Sequence, residues 1–129
     1  MEQLVEADLV GLAVATPVLL VSRMGDGVLQ NVLADCIGVH PAALVRTLDQ
    51  AEAAGLLERR MVTGNRRLRA IHLQDAGREL AERLEKALNA LRAEVLGSIP
   101  REDVETATRV LRLMEEKARA YAQQKPGDA

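Results

Sequence analysis

The segment spanning residues 28–77 constrains the fold of this chain more than any other. Two short stretches with helical apolar spacing flank a Gly-Val-His-Pro sequence at 38–41, which predicts two helices joined by a tight turn. Glycine ends the first helix without strain, and proline suits the first position of the second. Two further stretches around Gly64-Asn65 predict a β-hairpin. This order of elements predicts a winged helix-turn-helix, a fold that presents one helix to the major groove of DNA.

The element bounds follow from apolar spacing and turn residues. A short strand is predicted at 28–29, helices at 30–37 and from 41 to about 54, and hairpin strands at about 57–62 and 67–73. The hairpin turn is placed at Gly64-Asn65, because both residues tolerate positive φ. The expected inward-facing side chains of the two helices are Val32, Leu33, Cys36 and Ile37, followed by Leu44, Leu48 and Ala51.

Helices are also predicted on both sides of this segment. One runs from Glu2 to Val14, and a second begins at Pro17 with Thr16 as its N-cap. Two long helices follow the hairpin, at 75 to about 96 and 101 to about 123, and their apolar stripes need a cover. The simplest cover is a second copy of the chain. The expected dimer-interface residues are Leu4, Leu88, Leu91, Val104, Leu111, Met114, Ala118 and Tyr121.

The chain length of 129 residues suits a single domain. We therefore predict a mainly α protein with a small β-hairpin wing, an α+β winged helix-turn-helix. Its core would span about 17–75, and its dimerisation helices about 2–14 and 76–123. Aromatic residues make up only 1% of the chain, which disfavours a pocket that holds its ligand by ring stacking.

The expected location is the cytoplasm. The single Cys36 excludes an intrachain disulfide and favours a reducing compartment. The apolar run at 11–21 is too short to span a bilayer, which needs about 20 residues. Acidic residues precede this run where a signal peptide carries positive charge. No membrane partner is expected.

Charge is distributed unevenly along the chain. The formal net charge is −2, yet every charged residue between 59 and 69 is an arginine: Arg59, Arg60, Arg66, Arg67 and Arg69. A nearly neutral protein with one basic face is typical of a sequence-selective DNA-binding protein.

The helix at 41–54 is the predicted recognition helix. Its outward residues near the N-terminus are Ala42, Ala43, Val45 and Arg46. Arginine can reach a guanine edge or a phosphate, and small apolar side chains can contact thymine methyl groups. The alternative is an ordinary solvated helix face.

The hairpin tip supplies the second predicted DNA contact. Asn65, Arg66 and Arg67 fit the narrow, electronegative minor groove, and Arg59 and Arg69 behind them suit phosphates. The alternative is a solvated charged hairpin.

Three further polar residues are assigned to the DNA-binding set. Gln30 and Asn31 lie at the start of the first motif helix, where side chains and unpaired backbone N–H groups can hold a phosphate. Helix capping alone is the alternative explanation for these two residues. His40 precedes the recognition helix and is expected to act as its N-cap.

No enzyme, cofactor or metal site is expected. The sequence has no phosphate-binding glycine loop and none of the common hydrolase or metalloprotease motifs. Cys36 and His40 are too few for a zinc site, and the helix break between them separates the two side chains. Because Cys36 is predicted to face the core, an inert thiol is favoured over a redox sensor.

The sequence resembles the MarR family of bacterial transcriptional regulators from about Val18 to Leu113. The similarity is strongest in Leu-Ala-Asp-Cys-Ile-Gly-Val at 33–39, in residues 46–60, and in the wing. The wing pattern of that family is Asp-x-Arg, a basic residue two positions later, and a Leu-Thr-x-x-Gly that opens the next helix. Here it is Asn65-Arg66-Arg67, then Arg69, then Leu-Gln-Asp-Ala-Gly at 73–77.

The resemblance implies a homodimer held by its terminal helices and bound to double-stranded DNA at a pseudo-palindromic operator. Each recognition helix would enter the major groove and Arg67 the minor groove. Many members repress transcription and release DNA when a small-molecule effector binds between the dimer and DNA-binding regions. Asn65 and the residues Ala42, Ala43 and Val45 depart from the family, which commonly has Asp in the wing and Ser or Thr on the helix. The alternative function is a winged-helix protein-interaction module that does not bind DNA.

Overall fold

A computed structural model describes the backbone of residues 2–124 and the side chains of residues 13–124. Three antiparallel strands form one sheet in the order β1-β3-β2. This arrangement confirms the predicted winged helix-turn-helix. The elements in chain order are α1 (Glu2–Met24), β1 (Val28–Leu29), α2 (Gln30–Ile37), α3 (Pro41–Ala53), β2 (Leu57–Val62), β3 (Asn65–Leu73), α4 (Asp75–Leu96) and α5 (Arg101–Gln124).

The chain divides into two compact units, Met1–Leu88 and Asn89–Ala129. The first unit holds the whole winged helix and the first half of α4. Its largest fully buried side chains come from α1, α2, α3, β2 and β3: Pro17, Val18, Val21, Leu33, Leu48, Leu57 and Ile71. The core is therefore aliphatic, as the scarcity of aromatic residues requires.

Residues 2–24 form one helix, so the prediction of two helices separated at Thr16 and Pro17 is wrong. A proline inside a helix costs about 3 kcal/mol, because it removes a backbone hydrogen bond and crowds the preceding turn. Val14, Val18 and Val21 are buried along one side of this helix. Burial of each valine contributes about 1.5–3 kcal/mol, so core packing offsets the cost of Pro17.

The buried side of α2 is rotated from the predicted one. Leu33 and Ala34 are buried and Ile37 is half-buried, whereas Val32 is 43% exposed and Cys36 is exposed. The helix has only eight residues and packs through one edge, so a stripe of spacing one and four replaces the wider predicted stripe. On α3 the predicted inward residues are confirmed as buried: Leu44, Leu48 and Ala51.

The hairpin turn lies one residue earlier than predicted. Val62 pairs with Asn65, so the connection is Thr63-Gly64, and only Gly64 has positive φ, at 83°. Asn65 is instead the first residue of β3. The next pair along the ladder is Met61 with Arg69, which leaves residues 66–68 without partners on β2. β3 therefore bulges at 66–68, and this bulge was not predicted.

Several close contacts fix the base of the hairpin to the start of α4 and to the loop before β1. The backbone N–H of Gln74 donates to the carbonyl oxygen of Leu56 at 2.9 Å. A Cβ atom on Gly77 would lie 2.0 Å from that same oxygen, so the start of α4 can approach only because residue 77 is glycine. Asp26 Oδ1 also accepts the backbone N–H of Leu73 at 2.9 Å, and its Oδ2 lies 3.3 Å from Arg78 Nη2.

The second unit contains α5, none of whose described side chains is buried. Leu111 is 64% exposed and Met114 is 61% exposed, on the stripe predicted to form a dimer interface. Leu91, Ala118 and Tyr121 are exposed as well, whereas Leu88 and Val104 are half-buried. Leu4 lies outside the described side chains. The dimer-interface residues stay a prediction.

Among the described residues, no helix is long and apolar enough to cross a membrane.

Candidate nucleic-acid interface

The N-terminal half of α3 presents a small, mostly apolar surface. His40 is the N-cap, as predicted, and its Nδ1 accepts the backbone N–H of Ala42 at 3.3 Å. Pro41 occupies the first helical position. Leu44 and Leu48 anchor the opposite side of the helix in the core. Their burial leaves four of the predicted site residues exposed together: Ala42, Ala43, Val45 and Arg46.

Arg59, which was predicted to contact a phosphate, is paired with two carboxylates of α3. Its Nη2 lies 2.6 Å from Glu52 Oε2 and 2.5 Å from Asp49 Oδ1, both on α3. Its backbone N–H also donates to Glu52, and only 18% of its side chain is exposed. Hydrogen bonds from the Arg59 side chain and backbone lower the pKa of Glu52. Arg59 thus joins the recognition helix to β2.

Arg60 is also paired. The segment 59–69 contains no acidic residue, so the partner of Arg60 comes from just outside that segment. Arg60 forms an ion pair with Glu58, whose other oxygen accepts a hydrogen bond from Gln74 Nε2 at 3.0 Å. Acidic residues that precede the segment in sequence therefore neutralise two of its arginines. Chain order alone does not show this pairing.

Three arginines between residues 28 and 77 remain exposed and unpaired among the residues whose side chains the structure describes: Arg46, Arg66 and Arg67. Arg46 lies on α3 and the other two lie in the bulge of β3. Asn65 Oδ1 accepts the backbone N–H of Arg67 at 3.0 Å, which orients the backbone of the bulge. Arg69 Nη1 donates to the carbonyl oxygens of Arg66 at 2.8 Å and Leu68 at 3.2 Å. Arg69 therefore stabilises the backbone of the bulge, and its guanidinium group lies beside the bulge.

The start of α2 and the bulge of β3 line one cavity of about 170 Å³. Leu29 is the N-cap of α2 and makes no side-chain hydrogen bond, so the capping explanation for Gln30 and Asn31 is not supported. Gln30 Oε1 is buried and has no hydrogen-bond partner among the described residues. Unpaired N–H groups at a helix start beside two guanidinium groups suit an anion. The lining residues are Gln30, Asn31, Pro41, Arg67, Leu68 and Arg69.

Cys36 is exposed, so its predicted place on the buried face of α2 is wrong. Exposure removes the stated reason for treating it as an inert core thiol. His40 is committed to the cap of α3. Across residues 13–124, no three His, Cys, Asp or Glu side chains are grouped as a metal site requires.

The winged-helix region matches a known family. A sequence model of the MarR family matches residues 15–68, which include α2, α3, β2 and the tip of the hairpin. Over this region, which is less than half of the chain, the sequence is similar to the MarR family. The sequence match and the fold are both similar to those of MarR-family transcriptional regulators.

Solved structures share this fold over most of the chain. The transcriptional regulator PA3341 superposes with a TM-score of 0.78 at 25% identity, covering 92% of this chain and 87% of that one. CouR from Rhodococcus jostii RHA1, solved with p-coumaroyl-CoA bound, gives a TM-score of 0.68 at 24% identity, covering 78% and 71%. FabT from Streptococcus pneumoniae, solved in complex with DNA, gives 0.68 at 15% identity, covering 84% and 75%.

Proposed function

We propose that this protein is a dimeric transcriptional regulator that binds double-stranded DNA, with α3 in the major groove and the bulge of β3 in the minor groove. The observation that carries the proposal is the set of unpaired arginines between residues 28 and 77. Arg46, Arg66 and Arg67 project from the two elements that a winged helix presents to DNA, while the neighbouring Arg59 and Arg60 are paired within the protein.

The cavity beside Arg67 supports a phosphate contact. It combines the backbone N–H groups at the start of α2 with Asn31 and Arg69, and none of its lining residues is acidic. A phosphate here would fix the register of the protein on the duplex, while Arg46 and the bulge contact the grooves. The proposed DNA-binding set therefore keeps Gln30, Asn31, His40, Ala42, Ala43, Val45, Arg46, Asn65, Arg66, Arg67 and Arg69, and omits Arg59.

A homodimer is proposed from the apolar side chains that the second unit leaves exposed. Leu91 on α4 and Leu111 and Met114 on α5 are each more than half exposed. None of the described side chains of α5 is buried. A second copy of the same stripe would cover them, and two winged helices would then meet two half-sites of a pseudo-palindrome.

Control by a small molecule is proposed by analogy with CouR, whose structure holds p-coumaroyl-CoA. A ligand that favours a dimer unable to span both half-sites would release DNA and end repression. The identity of that ligand does not follow from the analogy.

The proposal is tested by binding to a fluorescent random-sequence duplex over a salt series, with Arg67→Ala beside the wild type. Each phosphate contact contributes about 0.9 to the slope of log K against log salt. We expect a steep slope that becomes shallower by about 1–2 per dimer in Arg67→Ala. The matched control is Arg60→Ala, which removes the same charge from the same hairpin but an arginine already paired with Glu58.

Equal slopes in Arg67→Ala and Arg60→Ala would contradict a specific role for the bulge. No binding of the wild type even at low salt would overturn DNA binding itself. That result would favour the protein-interaction module, for which the exposed apolar residues of α3 would be the contact surface.

A further inference from the structure

We infer that the preferred operator places thymine methyl groups against the N-terminal half of α3, with Arg46 as the main hydrogen-bonding contact to base edges in each half-site. This inference rests on the proposed function and specifies the class of DNA sequence that the site selects. It follows from the chemistry of the groups that this helix exposes and of those it has already engaged.

The first two turns of α3 expose side chains that cannot form hydrogen bonds. Ala42 and Ala43 are exposed, and Val45 is 38% exposed. Methyl groups gain from contact with other apolar groups and lose when a polar base edge is desolvated against them. In the major groove, the only apolar group that a base pair presents is the C5-methyl of thymine.

The polar side chains near this surface are mostly engaged. His40 Nδ1 accepts the N–H of Ala42, and the half-buried Thr47 donates to the carbonyl of Ala43 at 3.5 Å. Asp49 is held by Arg59. Arg46 and Gln50 are exposed α3 side chains that keep unpaired hydrogen-bonding groups within the described chain, and Asp49 keeps one at Oδ2. Asp49 and Gln50 lie a further turn from the N-terminus.

This inventory determines which base edges can be recognised. Adenine N6 and cytosine N4 are donors and need an acceptor side chain, and the half-buried hydroxyl of Thr47 is the one acceptor that the side chains of residues 41–48 supply. Guanine O6 and N7 and thymine O4 are acceptors, which Arg46 can satisfy. Thymine alone also offers a methyl group to Ala42, Ala43 and Val45. Half-sites rich in thymine and containing one guanine are therefore favoured.

The test begins with selection of bound sequences from a random duplex library. The selected thymines are then replaced, one position at a time, by deoxyuridine, which lacks only the C5-methyl group. We expect a loss of affinity of about fourfold for each methyl group that contacts the protein, and about fifteenfold when both half-sites are changed. Replacement of the thymine–adenine pair by 5-methylcytosine paired with guanine keeps the C5-methyl group but puts the N4 donor in place of thymine O4. It therefore distinguishes methyl contact from recognition of thymine O4.

Protein variants separate direct contact from an effect of deoxyuridine on DNA shape. Val45→Ala is expected to reduce the thymine-to-deoxyuridine affinity ratio at one position and to leave the salt slope unchanged. Gln50→Ala, on the same helix, is expected to leave that ratio unchanged.

The outcomes also separate this inference from the proposed function. Salt-dependent binding with equal affinities for thymine and deoxyuridine duplexes overturns the inference and leaves DNA binding intact. A ratio that Val45→Ala does not alter also overturns it. Absence of binding to any duplex overturns the proposed function, and the inference fails with it.

Discussion

Glu52 on α3 and Arg59 on β2 are joined by three hydrogen bonds, from the Arg59 backbone N–H at 3.3 Å, Nε at 3.0 Å and Nη2 at 2.6 Å. The pair connects the recognition helix to the first strand of the wing. Because Asp49 shares the same guanidinium group, two successive turns of α3 are held by one side chain. Arg59 therefore ties together the two proposed DNA-contacting elements through its bonds to α3.

Replacement of Arg59 by alanine is expected to lower stability more than it alters the salt slope. Its carboxylate partners are partly exposed, so solvent compensates part of the loss, and about 1 kcal/mol is expected. Thermal unfolding of Arg59→Ala should shift down by about 3–6 °C, since this size of domain loses a few degrees for each kcal/mol. Arg67→Ala is the converse control, with an unchanged midpoint and a shallower salt slope.

Acid should weaken the fold through Asp26 and Glu52. Hydrogen bonds from the backbone N–H of Leu73 and then ion pairing with Arg78 lower the pKa of Asp26, and Arg59 lowers that of Glu52. In the unfolded chain these groups take up protons near their ordinary values, 3.8 and 4.5. Their contribution is therefore complete above about pH 5 and is lost as pH falls through the lower folded-state pKa values.

This pH dependence is measured from unfolding midpoints between pH 7 and pH 3. Asp26→Asn and Glu52→Gln should each flatten the fall in midpoint, because neither variant can take up the proton. A fall as steep as that of the wild type in both variants would assign the acid sensitivity to other carboxylates.

Gly77→Ala is expected to destabilise the protein although alanine favours helices. Helix propensity alone would stabilise α4 by about 1 kcal/mol. The added Cβ would lie 2.0 Å from the carbonyl oxygen of Leu56, which is backbone and already accepts the N–H of Gln74. Overpacking of this kind costs about 1–3 kcal/mol. Denaturant unfolding measures whether the free energy of unfolding rises or falls, and Ala76→Gly in the same helix is the control. A stabilised Gly77→Ala variant would contradict the close approach of residue 77 to the Leu56 carbonyl oxygen.

Asn65→Ala should weaken DNA binding about fivefold with little effect on the unfolding midpoint. The substitution removes the acceptor of the Arg67 N–H bond, worth about 1 kcal/mol, from an exposed tip. Asn65→Asp retains the acceptor, so its bulge should keep its conformation. Similar losses in both variants would show that the amide group itself, and not the turn it makes, matters for DNA.

Leu111→Asp combined with Met114→Asp should convert a dimer to a monomer, because charged groups would replace apolar ones on the exposed stripe of α5. Light scattering coupled to gel filtration measures the mass directly. Glu102→Lys, in the first turn of the same helix, is the control for a change of charge off the stripe. A wild-type monomer across the micromolar range would contradict the proposed interface.

Local sequence signals determine most element bounds in this chain. The caps at His40 and Gly38 and the apolar spacing of α3 follow from residues within a few positions of one another. The continuous α1 does not, because its passage through Pro17 depends on burial against elements that come later in the chain. In α1, the burial of side chains in the core outweighs the local tendency of Pro17 to end a helix.

The site was less predictable than the fold for a related reason. The unpaired state of Arg46, Arg66 and Arg67 can be recognised only once the partners of Arg59 and Arg60 are known, and those partners lie on α3 and β2. Exposure of Cys36 and the shared cavity of Gln30 and Arg67 likewise depend on how α2 packs. Sequence identified the basic segment but not which of its charges remain available.

Because of the bulge of β3, the length of the wing tip can change without changing the strand pairing of the sheet. Val62 with Asn65 and Met61 with Arg69 close the ladder on either side of residues 66–68, so chain inserted or removed between these pairs leaves both pairings in place. Wing length is thus a parameter that evolution or an engineer can vary by single residues while the scaffold keeps its register. Longer basic tips grafted at this position would extend the proposed DNA contact further from the sheet while both flanking strand pairs stay in place.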